Sequence, residues 1–257
     1  MIRGIFFDVH GTLLDKGGNK SLELGRAHVV AFLNAHGITV SNERYKEIWI
    51  SNLKKHRRDY EELNEVSFYG WYRGLLYDLG VSNDSESWID QLNEEWMKGF
   101  IETTTEIPPA KEVLAKLKPL YCLGVISNSL GRNTELDLIR TGLREFFDVL
   151  VISSELGKRK PHPRIFESGL EAMGFRPEEA VMVGDDLQED IIGAKNVGMR
   201  TVYLAREDSL KSLTLLDKTY PVSEGSPNRP GEEIEALKFA DGVLESLDGF
   251  EHLISNW

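Results

Sequence analysis

The chain has 257 residues and a mass of 29.1 kDa, with 41% apolar and 28% charged residues, which excludes a disordered or fibrous protein. Thirty basic against forty-two acidic residues leave a net charge of −12 and a pI near 5.1. That balance argues against holding nucleic acid by counterion release or lying on an anionic membrane, though a local basic pocket for a small anion is compatible with it. The single cysteine, Cys122, excludes an intramolecular disulfide and any multi-cysteine metal site. It suits a reducing compartment and is expected as an inert core residue inside a strand. No apolar run approaches the roughly 18 to 20 residues of a membrane span, and Asp8 breaks the apolar N-terminal patch too early for a signal peptide. A cytoplasmic protein is expected, as a monomer or homodimer.

Gly4-Ile5-Phe6-Phe7-Asp8 is a short apolar run ending in an acid and followed by Gly11-Thr12, the pattern of a strand buried on both faces. From about Leu22 to Phe100 apolar and aromatic positions recur at helical spacing, through 24–32, 45–53, 68–79 and 88–100. Gly37, Gly80-Val81-Ser82-Asn83 and Pro108-Pro109 punctuate the interval. It is expected to be helical throughout, large enough to form a separate cap over residues 17–104. Further buried-strand runs follow at 121–126, 180–183 and 200–204, with a shorter one at 149–152. Amphipathic stretches at 109–117, 163–173 and 190–197 lie between them. Alternation of this kind predicts an α/β protein: a Rossmann-like parallel sheet core, residues 1–16 and 105–257, with an inserted, mostly helical cap domain. An insertion of about 206–238, with a loop at 223–231, precedes a last short strand within 240–247 and a last helix reaching Ile254.

The ends of these strands carry the chemistry. Asp8 ends the first, Ser127-Asn128 end the second just before a helix whose first amides favour anions, and Gly184-Asp185-Asp186 end the fourth, with Asp190 one turn on. Lys158-Arg159-Lys160 precedes Pro161-His162-Pro163 at the start of another helix. Facing carboxylates need a divalent cation or a lysine, and Mg²⁺ prefers one or two carboxylates plus phosphate oxygens. A carboxylate nucleophile can form an aspartyl-phosphate. Such a set suits phosphoryl transfer.

DVHGTLLD at 8–15, ISNS at 126–129, KPHPRIF at 160–166 and VGDDLQEDIIGAKNVGM at 183–199 closely resemble, in order, the four motifs of the haloacid dehalogenase superfamily. The resemblance covers the whole core, about two-thirds of the chain, and the helical interval is similar to the cap many members insert between the first and second motifs. It implies Mg²⁺-dependent hydrolysis of a small phosphorylated metabolite. By resemblance Asp8 is nucleophile and metal ligand, and the His10 main-chain carbonyl is a second ligand. Thr12, Ser127, Asn128 and Lys160 meet the phosphoryl group, with Lys160 balancing its charge and that of Asp8. Asp185 binds the metal, and Asp190 orients its waters or Lys160. Asp186 ranks lower.

The departure is His10, where most phosphatases of the family carry a second aspartate for acid–base work. Histidine can take that role, and near Mg²⁺ it is expected to be a better base than acid. The alternatives are a slow or silent phospho-ligand binder, or a metal-independent 2-haloacid dehalogenase-like hydrolase. The dehalogenase branch lacks the metal-binding acid of the fourth motif, so Asp185 with Asp190 favours the phosphatase. The basic run 54–58 is expected to be a solvated helix face rather than a substrate contact, and Trp49, Tyr69, Trp71 and Tyr72 to be cap core.

Overall fold

The computed structural model describes residues 1–130, 133–205 and 237–257. Six parallel strands form one sheet in the order β5-β4-β1-β6-β7-β8: β1 Gly4–Phe7, β4 Cys122–Ser127, β5 Val149–Ile152, β6 Ala180–Gly184, β7 Arg200–Leu204 and β8 Gly242–Leu244. A short antiparallel pair, β2 Leu14–Asp15 and β3 Thr105–Glu106, stands outside it. The helices are α1 Gly18–Ala35, α2 Asn42–Lys55, α3 Arg57–Glu61, α4 Phe68–Asp78, α5 Glu86–Ile101, α6 Ala110–Leu117, α7 Asn133–Thr141, α8 Ser153–Leu156, α9 Pro163–Met173, α10 Gly193–Asn196 and α11 Phe250–Ile254.

The period of two along each strand sorts the core into two layers. Ile5 and Phe7 of β1 join Leu123, Val125, Val181 and Val183 beneath α6 and α11. Phe6 points the other way, into Ile126, Met182 and the Ile165, Phe166 and Leu170 face of α9. With both faces covered, β1 reads as an unbroken apolar run and is buried at every residue. The chain leaves β1 for β4 and β5 on one side, then crosses to β6, β7 and β8 on the other. The reversal at β1 opens a crevice above the carboxyl ends of the strands.

Helices α1 to α5 enclose their own apolar cluster, in which Trp71 and Tyr72 are buried and Trp49 and Tyr69 partly buried. These aromatics are therefore packed inside the insert. α1 and α5 cross so closely that a Cβ on Gly99 would lie 2.1 Å from the Gly25 nitrogen. The chain enters the insert at Lys16-Gly17 and leaves it at Thr103, which are tied by a Thr103 Oγ1 to Lys16 carbonyl bond of 3.2 Å. The basic run lies outside: Arg57 pairs with Glu61, Arg58 with Glu62, and Lys55 with Asp78.

Three expectations change. Cys122 opens β4 and is exposed; the neighbouring β5 begins only opposite Gly124, two residues further on. The helix expected at 190–197 is a π-helical turn over Leu187–Ile192 leading into α10. The β2–β3 pair is new; two residues a side leave no legible period. The expected insertion, 206–238, lies almost wholly outside the described residues. Among the described residues no helix is long and apolar enough to cross a membrane.

Candidate active site

Parallel register delivers the site. Phe7 pairs with Val125 on one side and Val183 on the other, so Asp8, Ser127 and Asp185 emerge within two residues of a common level. Asp8 and Ser127 are both buried in the floor of the crevice. Lys160 arrives on the loop between α8 and α9 and is only 2% exposed, a burial that an ammonium tolerates only when paired. Its Nζ donates to Asp8 Oδ1 at 2.6 Å, Asp190 Oδ1 at 2.6 Å and the Ile126 carbonyl at 3.0 Å. Burial opposes that charge, but Asp190 and Asp8 override it and hold the ammonium above the usual lysine range.

Asp8, Asp185 and Asp190 each offer a carboxylate oxygen, and these oxygens lie within 4.8 Å of one another. Among the described residues this is the one such group. Burial, with Asp8 beside it, pushes the Asp185 carboxyl up to about 7. Burial likewise raises Asp190, against the pull of Lys160. Asp8 and Asp185 just past strand ends and Asp190 in the π-helical turn bring three desolvated oxygens together, a set that fits a hard divalent cation, which would remove the repulsion among them. Two glycines make the approach possible: a Cβ on Gly11, whose φ is 97°, would sit 2.2 Å from Asp185 Oδ2, and one on Gly184 would sit 2.1 Å from Asp190 Oδ2.

The remaining expected residues surround this centre. Thr12 reaches it through Asp185, to which its hydroxyl donates at 2.9 Å. Asn128 clasps the lysine loop: its Oδ1 accepts from the Lys160 amide at 2.8 Å, and its Nδ2 donates to the Lys160 carbonyl at 3.1 Å and to Glu189 Oε2 at 2.8 Å. Its side chain is thus engaged with protein. Asp190 Oδ2 accepts from the Asp186 amide at 3.1 Å, so both its oxygens have partners. Asp186 caps the π-helical turn by accepting from the Glu189 amide at 2.6 Å.

His10 sits at the rim, its Nε2 3.1 Å from Asp137 Oδ2. Burial first, and then the nearby Lys16 ammonium, lower its pKa to about 4 despite the opposing pull of Asp137 and Asp8. The ring is therefore neutral at pH 7, and the tautomer that satisfies the contact carries its proton on Nε2 and donates it to Asp137. Asp137, Glu189 and Lys16 escaped the sequence reading. The signal for Asp137 was available: in α7, Thr134, Asp137 and Leu138 are buried at helical spacing, and an acid on an apolar face needs a partner. Glu189 stands next to Asp190, where neighbouring acids masked it.

A family model described as haloacid dehalogenase-like hydrolase matches residues 2–198. The chain is 32% identical over 204 residues to the glyceraldehyde 3-phosphate phosphatase of Pyrococcus abyssi, covering 79% of this chain and 81% of that one. It is 27% identical over 258 residues to the ribulose-1,5-bisphosphate 5-phosphatase of Halopiger xanaduensis, covering 99% and 100%. Among solved structures, a 2-haloacid dehalogenase from Pseudomonas syringae superposes with a TM-score of 0.67 at 22% identity, covering all of both chains. That last likeness speaks to the fold alone.

Proposed function

The chain belongs to the haloacid dehalogenase-like hydrolases and is one of their phosphatases; we propose that it hydrolyses small phosphate monoesters with Mg²⁺ through an aspartyl-phosphate on Asp8. What supports this reading is one observation: a buried lysine 2.6 Å from both Asp8 and Asp190, beside a third carboxylate that only a cation or a proton would quiet. Small sugar phosphates are the substrate class, following the relatives named for glyceraldehyde 3-phosphate and ribulose bisphosphate. The protein acts in the cytoplasm on a free metabolite.

Asp8 and Asp185, with the His10 carbonyl, would hold Mg²⁺, which neutralises charge on the phosphoryl oxygens when bound. Lys160 holds the Asp8 carboxylate in place through its Nζ–Oδ1 hydrogen bond of 2.6 Å. The Asp8 carboxylate attacks phosphorus, the bond from phosphorus to the ester oxygen breaks, and the leaving oxygen takes a proton from solvent. Water then attacks the aspartyl-phosphate, its proton passes to the neutral His10 ring, and phosphate leaves. A neutral imidazole suits the second step and not the first, so the alkoxide leaving a sugar phosphate draws its proton from water rather than from His10. Ser127 and the main chain at Asn128 bind the phosphoryl group, Thr12 braces Asp185, and Asp190 steers Lys160. Residues 17–104 act as a cap that excludes bulk water over the core formed by 1–16 and 105–257.

The test is a panel of metabolite phosphates assayed with and without Mg²⁺ on wild type and Asp8→Asn. Metal-dependent phosphate release that Asp8→Asn abolishes is expected. Metal-independent chloride release from 2-haloacids would overturn the reading, and phosphate binding without turnover would make the protein a sensor.

A further inference from the structure

Arg159 adjoins Lys160, and its guanidinium serves two regions of the molecule at once. One nitrogen lies 3.5 Å from Glu189 Oε1 in the core, and another lies 3.8 Å from Glu65 Oε2 in the helical insert. Its central carbon stands 4.7 Å from the ring centre of Tyr60, also in the insert. On the core side the chain of contacts runs on without a gap. Glu189 accepts from Asn128, and Asn128 bonds both main-chain groups of Lys160. On the insert side Glu65 Oε2 accepts from Ser153 Oγ at 2.9 Å, and that hydroxyl accepts from the Ser129 amide at 3.0 Å, two residues past Ser127.

The main chain of the insert docks at the same place. The Arg159 amide donates to the Leu63 carbonyl at 3.2 Å, the Glu65 amide donates to the Gly157 carbonyl at 3.1 Å, and Lys158 bonds Asn64. Leu63 has φ 57°, a left-handed conformation unusual for a leucine, and it turns the segment toward the lysine loop. Everything the insert touches here belongs to the segments that carry Ser127, Asn128 and Lys160.

We propose that Arg159 is a positioning residue, and Glu65 its partner on the insert, which together make the alignment of Asn128 and Lys160 depend on the insert being seated. The proposal rests on the phosphatase reading of the Asp8–Lys160 centre. Its physical basis is one guanidinium shared between the two regions. With the insert seated, Arg159 is held between two carboxylates and against Tyr60, and Glu189 is oriented to receive Asn128. With the insert withdrawn, Glu65 returns to water and Arg159 loses two of its three constraints. Glu189 and Asn128 then lose their fixed geometry, and Lys160 loses its main-chain clasp. Burial raises the Glu65 carboxyl above its usual range, against the pull of Arg159 and the hydrogen bond from Ser153.

The experiment combines Glu65→Gln, which keeps shape while removing charge, with Arg159→Met and the double variant. Steady-state kinetics on the best substrate of the panel are paired with hydrogen exchange at the Lys160 and Ser129 amides of the substrate-free protein. The expected result is a fall in kcat of about tenfold in each single variant, with KM changed far less, and no further fall in the double variant. Exchange at the Lys160 amide should quicken in all three. Equal kcat, additive losses, or faster exchange confined to 60–66 and 153–158 would overturn the proposal. Should wild type prove inactive on every phosphate, the phosphatase reading fails, and the Lys160 amide alone decides: quickened exchange upholds the coupling, unchanged exchange refutes it.

Discussion

The sheet and the helical insert place their polar groups by different means. In the sheet, main-chain pairing fixes the level at which each strand stops, so Asp8, Ser127 and Asp185 converge because Phe7, Val125 and Val183 are in register. In the insert, helices pack by side-chain shape around Trp71, Tyr72, Leu75 and Ile89, and the groups that hydrogen-bond the lysine loop do so from a turn, Leu63 to Glu65. Chemistry set by backbone register tolerates change in the layers around it, whereas chemistry delivered by a docked turn depends on a few side-chain contacts.

The largest effect should come from the sheet's own acid. Asp8→Asn is expected to lower kcat by at least about 10⁴-fold while leaving the fold intact, measured by phosphate release and circular dichroism. Next is the core that holds the register: Phe6 is fully buried, and Phe6→Ala should cost about 3–5 kcal/mol in denaturant unfolding. A comparable loss of activity without loss of fold would show that register is not what positions Asp8.

Metal and pH sharpen the comparison. The folded value of Asp185, about 7, lies above its unfolded value near 3.9, so between them the cation-free folded state binds more protons than the unfolded one. Stability of the cation-free protein should therefore fall as pH rises across that window. The rise in Tm on adding Mg²⁺ should grow over the same range, because less proton remains to displace. Asp185→Asn should weaken both trends in thermal melts, the part due to Asp190 remaining, while a surface acid of the insert, Glu61→Gln, should shift Tm by no more than about 2 °C at any pH.

A smaller change is expected at the rim. His10→Asp restores the residue usual in the family and should leave turnover intact or raise it, most for poor leaving groups. A fall in turnover would assign the imidazole, held by Asp137, a role of its own.

Much of the sheet was legible because buried parallel strands are uninterrupted apolar runs closed by polar residues: 4–8, 180–183 and 200–204 announce both the strand and the residue that follows it. Helix α9 was legible for a similar reason, with Pro163 opening it and Gly174 closing it in the left-handed region. The four helical stretches of the insert showed in their spacing, yet their arrangement did not. Spacing says which face of a helix is covered and nothing about what covers it. The exposure of Cys122 was hidden because periodicity marks a strand without marking which end projects. The Arg159–Glu65–Glu189 linkage was hidden because its partners are 94 and 30 residues from Arg159 and none is apolar. Its one sequence trace, a basic run before Lys160, reads equally well as a solvated surface.

The proposal that Asp8, Lys160 and the fourth-motif acids act on one reacting phosphorus is tested most directly by quenching the enzyme in acid during turnover and mapping its peptides by mass spectrometry. The expected result is a phosphoryl group on the peptide containing Asp8, present only with Mg²⁺ and substrate and absent in Asp8→Asn. Turnover at full rate with that peptide unmodified, or with the phosphoryl group on another residue, would contradict it.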